Sequence, residues 1–102
     1  IRDRPDAIEA FIVYIGDESK KYSLGLLDKL RKNGIKAEID TLARNVKGQF
    51  KYAGRIGAKY TLVIGDDEIA TGELSIKEMA TSEQTKISAD ELIEFLKSKK
   101  EQ

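Results

Sequence analysis

The stretch YTLVIGDDEIATGELSIKEM, residues 60–79, decides the fold of this 102-residue chain. Its first five residues carry no charge and read as a strand buried on both faces. Its last seven alternate, with Leu74 and Ile76 set against Ser75 and Lys77, the pattern of a strand with one face in a core. The connection between them, 65–72, is shorter than the dozen or so residues a parallel crossover needs. The two strands must therefore run antiparallel. Asp66, Asp67 and Glu68 crowd the start of that connection, where acids can hold a metal, carry a phosphoryl group, cap a helix or meet the N–H donors of a base.

Outward from this unit the pattern changes to alternating strands and helices. AFIVYI, residues 10–15, is a second uncharged run and a second buried strand. A helix is predicted from about 19 to 33, with Tyr22, Leu26, Leu27 and Leu30 on one face, stopped at Asn33-Gly34 by a left-handed cap. Residues 35–40 alternate apolar and charged, as a half-exposed edge strand does. A second helix, about 46 to 57, gathers Val46, Phe50, Ala53 and Ile56 into one arc and Lys47, Lys51 and Arg55 into another. After the alternating strand, residues 84–87 form a fifth strand. The Ser88-x-x-Glu91 capping box then opens a last helix, running to about Lys99 and offering Leu92, Ile93, Phe95 and Leu96 to the core.

Strands separated by helices are parallel with right-handed crossovers. The tight turn after the fourth strand makes the fifth parallel to the first three. With the two most apolar strands central, the expected fold is a three-layer α/β/α sandwich around a mixed five-stranded sheet, order 2-1-3-4-5, strand 4 antiparallel. The opening IRDRPDAIE holds the only proline and reads as a linker over 1–9, with one domain over 10–102. An initial Ile1 in place of Met suits either an excised part of a longer chain or a truncated start.

Eighteen cations balance eighteen acids, so nucleic-acid binding, if present, depends on a local patch and not on bulk charge. There is no cysteine and no histidine. Disulfides, zinc sites built on those ligands, thiol nucleophiles and imidazole-dependent triads are therefore excluded. No catalytic residue and no metal ligand is assigned. No apolar run reaches the ~20 residues needed to span a bilayer.

In a doubly wound sheet, ligands bind where the strand order reverses, here at the carboxyl ends of the first and third strands. Gly16-Asp17-Glu18 and Gly65-Asp66-Asp67-Glu68 fall there, with no glycine-rich phosphate loop of either common type. Nearby, residues 43–60 hold five cations (Arg44, Lys47, Lys51, Arg55, Lys59) and no acid, with Asn45 and Gln49 near the helix start. Such a basic face suits a phosphodiester backbone, with acids and amides meeting bases beside it. A solvated helix face is the simpler reading of the same stripe, and a cap the simpler reading of Glu68.

The segments RNVKGQFKYA (44–53), IGAKYTLVIGDDE (56–68), GELSIKEMATSEQ (72–84) and LRKNGIKAEID (30–40) together resemble the C-terminal anticodon-binding domain of class II aminoacyl-tRNA synthetases, the histidyl branch most of all. The resemblance covers nearly the whole chain and implies the same mixed sheet. It further implies docking on the anticodon stem-loop of a tRNA, through Glu68, Asn45 and Arg44, with Gln49 and Lys77 also in reach; Lys47 and Lys51 are the basic-face candidates. No cofactor is expected in this domain. ATP and magnesium would act in a separate catalytic domain of the same chain, in a cytoplasmic enzyme that is a homodimer at full length and has no membrane partner. Where the family often has glycine after the Ala-Thr pair, this chain has Ser82, which concerns the geometry of that turn.

Two other functions fit parts of the sequence. A synthetase paralogue would use this domain for regulation or protein contacts. A phosphoacceptor receiver-like domain would need acids at the ends of strands 1 and 3, with Asp66 phosphorylated and Lys86 late in the sheet. It would also need a parallel fourth strand reached through a helix.

Overall fold

The computed structural model describes residues 8–40 and 45–100. Five strands and four helices follow in the order β1 (Ala10–Tyr14), α1 (Asp17–Lys32), β2 (Ala37–Ile39), α2 (Val46–Arg55), β3 (Tyr60–Ile64), α3 (Asp66–Thr71), β4 (Glu73–Glu78), β5 (Gln84–Ser88) and α4 (Ala89–Lys100). The sheet order is β2-β1-β3-β4-β5. β1 is parallel to β2 and β3, while β4 is antiparallel to both β3 and β5. The topology read from connection lengths is the observed one. Residues 8 and 9, assigned to a linker by sequence, already line the sheet, since Ile8 and Glu9 accept from the N–H groups of Lys59 and Tyr60.

The connection 65–72 holds more helix than its sequence suggests. α3 has six residues, under two turns, so it cannot carry the chain back along the sheet as a crossover helix would. β4 accordingly returns beside β3 in the antiparallel sense.

Two apolar clusters fix the layers. On one face Ile12, Leu62, Ile64, Leu74 and Ile76 pack with Leu26, Leu27 and Leu30 of α1 and Leu92, Ile93 and Leu96 of α4. On the other, Phe11, Val13, Ala53 and Ala58 are the buried centre, with Phe50 and Tyr52 of α2 and its C-cap Ile56 packed around them. β1 is buried at all five positions, which is why it carries no charge: both of its faces meet helices. Tyr52 tilts against Phe11 at 5.6 Å between ring centroids, a packing role and not a stacking platform.

The α1 stop is as the sequence predicts. Gly34 has φ 79°, a left-handed conformation that glycine adopts without a Cβ penalty. Ser82 occupies the same region, φ 64°, and is the one non-glycine residue there among the described residues. The serine therefore keeps the glycine-like turn, at a cost on the order of 1 kcal/mol. The turn is tied by Ser82 N–H to Glu78 O at 2.8 Å and by Thr81 O–H to Glu78 Oε1 at 3.0 Å.

Candidate nucleic-acid interface

The carboxyl ends of β1 and β3 meet the starts of three helices. α1 begins with Asp17 and Glu18, and α3 with Asp66, Asp67 and Glu68. Acids in a first turn complement the helix dipole. α2 has no acid in its first turn.

Between β1, α1 and α2 lies a cavity of about 300 Å³ lined by Tyr14, Ile15, Gly16, Asp17, Lys20, Asn45, Val46 and Gln49. It sits at the predicted switch point. Ile15 is 45% exposed there, an apolar side chain in a polar crevice. The sequence counted Ile15 among the strand residues because it ends an apolar run; β1 stops one residue earlier.

Asn45 is the N-cap of α2, and its Oδ1 accepts from Gly48 N–H at 2.8 Å. Replacing Asn45 by Ala should cost about 1 kcal/mol of stability, measured by denaturant unfolding. Arg44 lies outside the described residues. Lys47, Lys51 and Arg55 are exposed along α2, the ridge that the sequence spacing predicts.

Gln49 is not on that ridge. It is only 2% exposed. Its Oε1 accepts from Tyr14 N–H at 3.0 Å and its Nε2 donates to Tyr14 O at 3.1 Å. β2 ends at Ile39, opposite Ile12, while Ile15 N–H turns the other way, to Ile64 O at 2.9 Å. Tyr14 therefore points its polar groups to the side that β2 has already left, and the Gln49 amide replaces the missing rung. A base reader needs a free edge, and these two bonds occupy both polar ends of the amide.

Glu68 is half-buried. Its Oε1 accepts from Gly65 N–H at 2.8 Å and its Oε2 from the Ser75 hydroxyl at 3.4 Å. Asp66 and Asp67 lie inside the first turn of α3; Gly65 is the N-cap, and Glu68 reaches back to it from N3. Glycine has no side chain to return the bond, so this is one half of a capping box. A Cβ on Gly65 would stand 3.0 Å from Glu68 Oε1 and 3.6 Å from Ile15 Cδ1, so the missing side chain lets the carboxylate close on the N–H. Ile15 therefore shares the cavity lining with Asn45 and lies close to the Gly65–Glu68 turn.

Lys77 projects from β4 on the α2 side, its Nζ 5.3 Å from the centroid of the Phe50 ring, a cation–π distance. Ser75 and Lys77 pair with Lys86 and Gln84 of β5, so all four share this face. Lys86 and Gln84 are exposed; α2 covers β1 and leaves this end of the sheet open. Lys86 thereby joins the basic residues of this face, a place that the period-2 alternation of β5 could have shown. Among the described residues no cluster of three or more Asp and Glu could hold a metal, and none of their helices is long and apolar enough to cross a membrane.

Residues 9–99 match the model of the anticodon binding domain. The chain belongs to the anticodon-binding-domain family. It is 45% identical over 95 residues to a histidine–tRNA ligase of Staphylococcus aureus, covering 93% of this chain and 23% of that protein. The structure of apo histidyl-tRNA synthetase from S. aureus superposes with a TM-score of 0.86 at 45% identity, over 91% of this chain and 24% of that one. Histidyl-tRNA synthetase from Nostoc sp. PCC 7120 gives 0.84 at 26%, over 91% and 22%. The RNA binding domain of threonyl-tRNA synthetase from Cryptosporidium parvum Iowa II, at 20% identity and TM-score 0.83 over 90% and 23%, shares the fold. The chain spans about a quarter of the length of these relatives. Family membership and the antiparallel β4 together remove the receiver-like reading.

Proposed function

We propose that this anticodon-binding domain docks the anticodon stem-loop of a tRNA, histidine-specific as in its relatives, for aminoacylation at a catalytic site elsewhere in the protein. The observation that carries the reading is the exposed Lys47–Lys51–Arg55 ridge beside an acid- and amide-lined crevice, in a chain of this family. The ridge suits the phosphodiester backbone. Asn45, Arg44, Glu68 and Lys77 are the base-facing candidates, and Ile15 offers an apolar surface for an unstacked base. Gln49 serves the site from behind by fixing α2. Docking itself needs no cofactor; ATP and magnesium would act at the catalytic site. Such a protein would work in the cytoplasm as a homodimer.

Glu68→Gln tests the reading side of the site. Glutamine keeps an acceptor for Gly65 N–H and removes the charge. Fluorescence anisotropy on the intact protein should show about tenfold weaker binding to the cognate stem-loop, with a much smaller change for a scrambled anticodon. Equal losses for both RNAs would remove Glu68 from base recognition.

A further inference from the structure

The end of the sheet that α2 leaves open carries Ser75 and Lys77 from β4 and Gln84 and Lys86 from β5 on one face. The ladder sets Lys86 directly opposite Ser75, and Gln84 opposite Lys77. The two lysines are therefore diagonal neighbours, their Cα atoms roughly 7–8 Å apart. Among the described residues neither of them closes an ion pair. Two positive charges thus share one polar face, and the fold neutralises neither.

This face continues the basic surface of α2. Lys77 reaches over Phe50, its Nζ 5.3 Å from the ring centroid, and Phe50 is the chain neighbour of Lys51 on the ridge. Cations follow one another from Lys51 through Lys77 to Lys86. The face also touches the acid of the switch point. Glu68 Oε2 accepts from the Ser75 hydroxyl at 3.4 Å, and Ser75 faces Lys86 across the ladder. The Glu68 carboxylate therefore stands one strand away from Lys86, about 5 Å.

We propose that the RNA strand held by the α2 ridge continues onto the open β4–β5 face, where Lys86 binds a backbone phosphate beside the base that Glu68 meets. The inference rests on the docking reading above and adds a contact to it. An ammonium on a flexible stem is a compact point charge suited to a phosphate oxygen, and an anion lying between Lys77 and Lys86 relieves their repulsion. A nucleotide seated here meets two different groups, a carboxylate for the N–H donors of its base and an ammonium for its phosphate. The competing role for Lys86 is to guard the edge strand β5 against pairing with another chain.

The test measures fluorescence anisotropy of a stem-loop with the intact protein across a salt series, for Lys86→Ala, Lys86→Arg and Lys32→Ala. Lys86 is exposed, so its removal leaves the core untouched. Lys86→Ala should weaken binding about five- to tenfold at ~0.15 M salt and lower the salt slope by about 0.7. The loss should be equal for cognate and scrambled anticodons, because a phosphate carries no sequence information. Lys86→Arg keeps the charge and should restore most of the affinity. Lys32→Ala removes the same charge from the far end of α1, on the other face of the sheet, and should leave affinity unchanged. An equal loss in Lys32→Ala would be a net-charge effect and would overturn the proposal. So would unchanged affinity and slope in Lys86→Ala; self-association of that variant in sedimentation would then assign Lys86 to guarding the edge. If Lys47→Glu with Lys51→Glu weakens binding and Lys86→Ala does not, the docking reading stands and this extension falls. If the unsubstituted protein binds no stem-loop, both fall.

Discussion

Lys47→Glu combined with Lys51→Glu should weaken binding of the intact protein to an anticodon stem-loop by roughly 30- to 100-fold at ~0.15 M salt. Both side chains are exposed on one ridge of α2, one helical turn apart. Losing two phosphate contacts at about 1–1.4 kcal/mol each gives about 2–2.8 kcal/mol, which is that range of affinity. The slope of log K against log salt should fall by about 1.4, from ~0.7 per phosphate for a single-stranded loop. Fold damage cannot mimic this result. An acid at position 47 lies in the first turn of α2, where negative charge is favourable, and neither lysine packs in the core. Unchanged affinity with an unchanged salt slope would mean that the RNA docks on another surface.

Gln49→Leu should have the largest effect on stability, about 2–4 kcal/mol in denaturant unfolding. Leucine preserves the apolar bulk but leaves Tyr14 N–H and Tyr14 O without the partners that Gln49 supplies. Each unsatisfied buried group costs roughly 1–3 kcal/mol. The same variant should bind stem-loops less tightly whatever their anticodon, because α2 loses its anchor to β1 while no reading group changes. Unaltered stability with a lost preference for one anticodon would instead make Gln49 a reader.

The sequence carried the architecture well because its signals were local. Uncharged runs marked β1 and β3, and the shortness of 65–72 sufficed to reverse β4. α3 left no helical period in the sequence, since six residues are too few to show one. The site was harder. Gln49 was grouped with surface amides on its polarity alone. Its position among Val46, Phe50 and Ala53, on the apolar arc of α2, was the available sign that it faces inward. For Glu68 the simpler reading was a cap, with a base-facing role implied by the resemblance, and the cap is there: an acid three residues after Gly65 is at the N3 position of α3 and reaches back to the N-cap.

The zero net charge of the chain has a further consequence once the charges are placed. A molecule without a monopole exerts little pull on a polyanion beyond about one Debye length, ~8 Å at physiological salt. What remains is a local gradient. Asp17, Glu18, Asp66 and Asp67 stand exposed at the ends of β1 and β3, and Lys47, Lys51 and Arg55 run along the neighbouring helix. A phosphate chain arriving at this end is repelled from one side and held on the other. The domain thus acts less as an attractor than as a compass, setting the direction in which a strand lies before any base is touched.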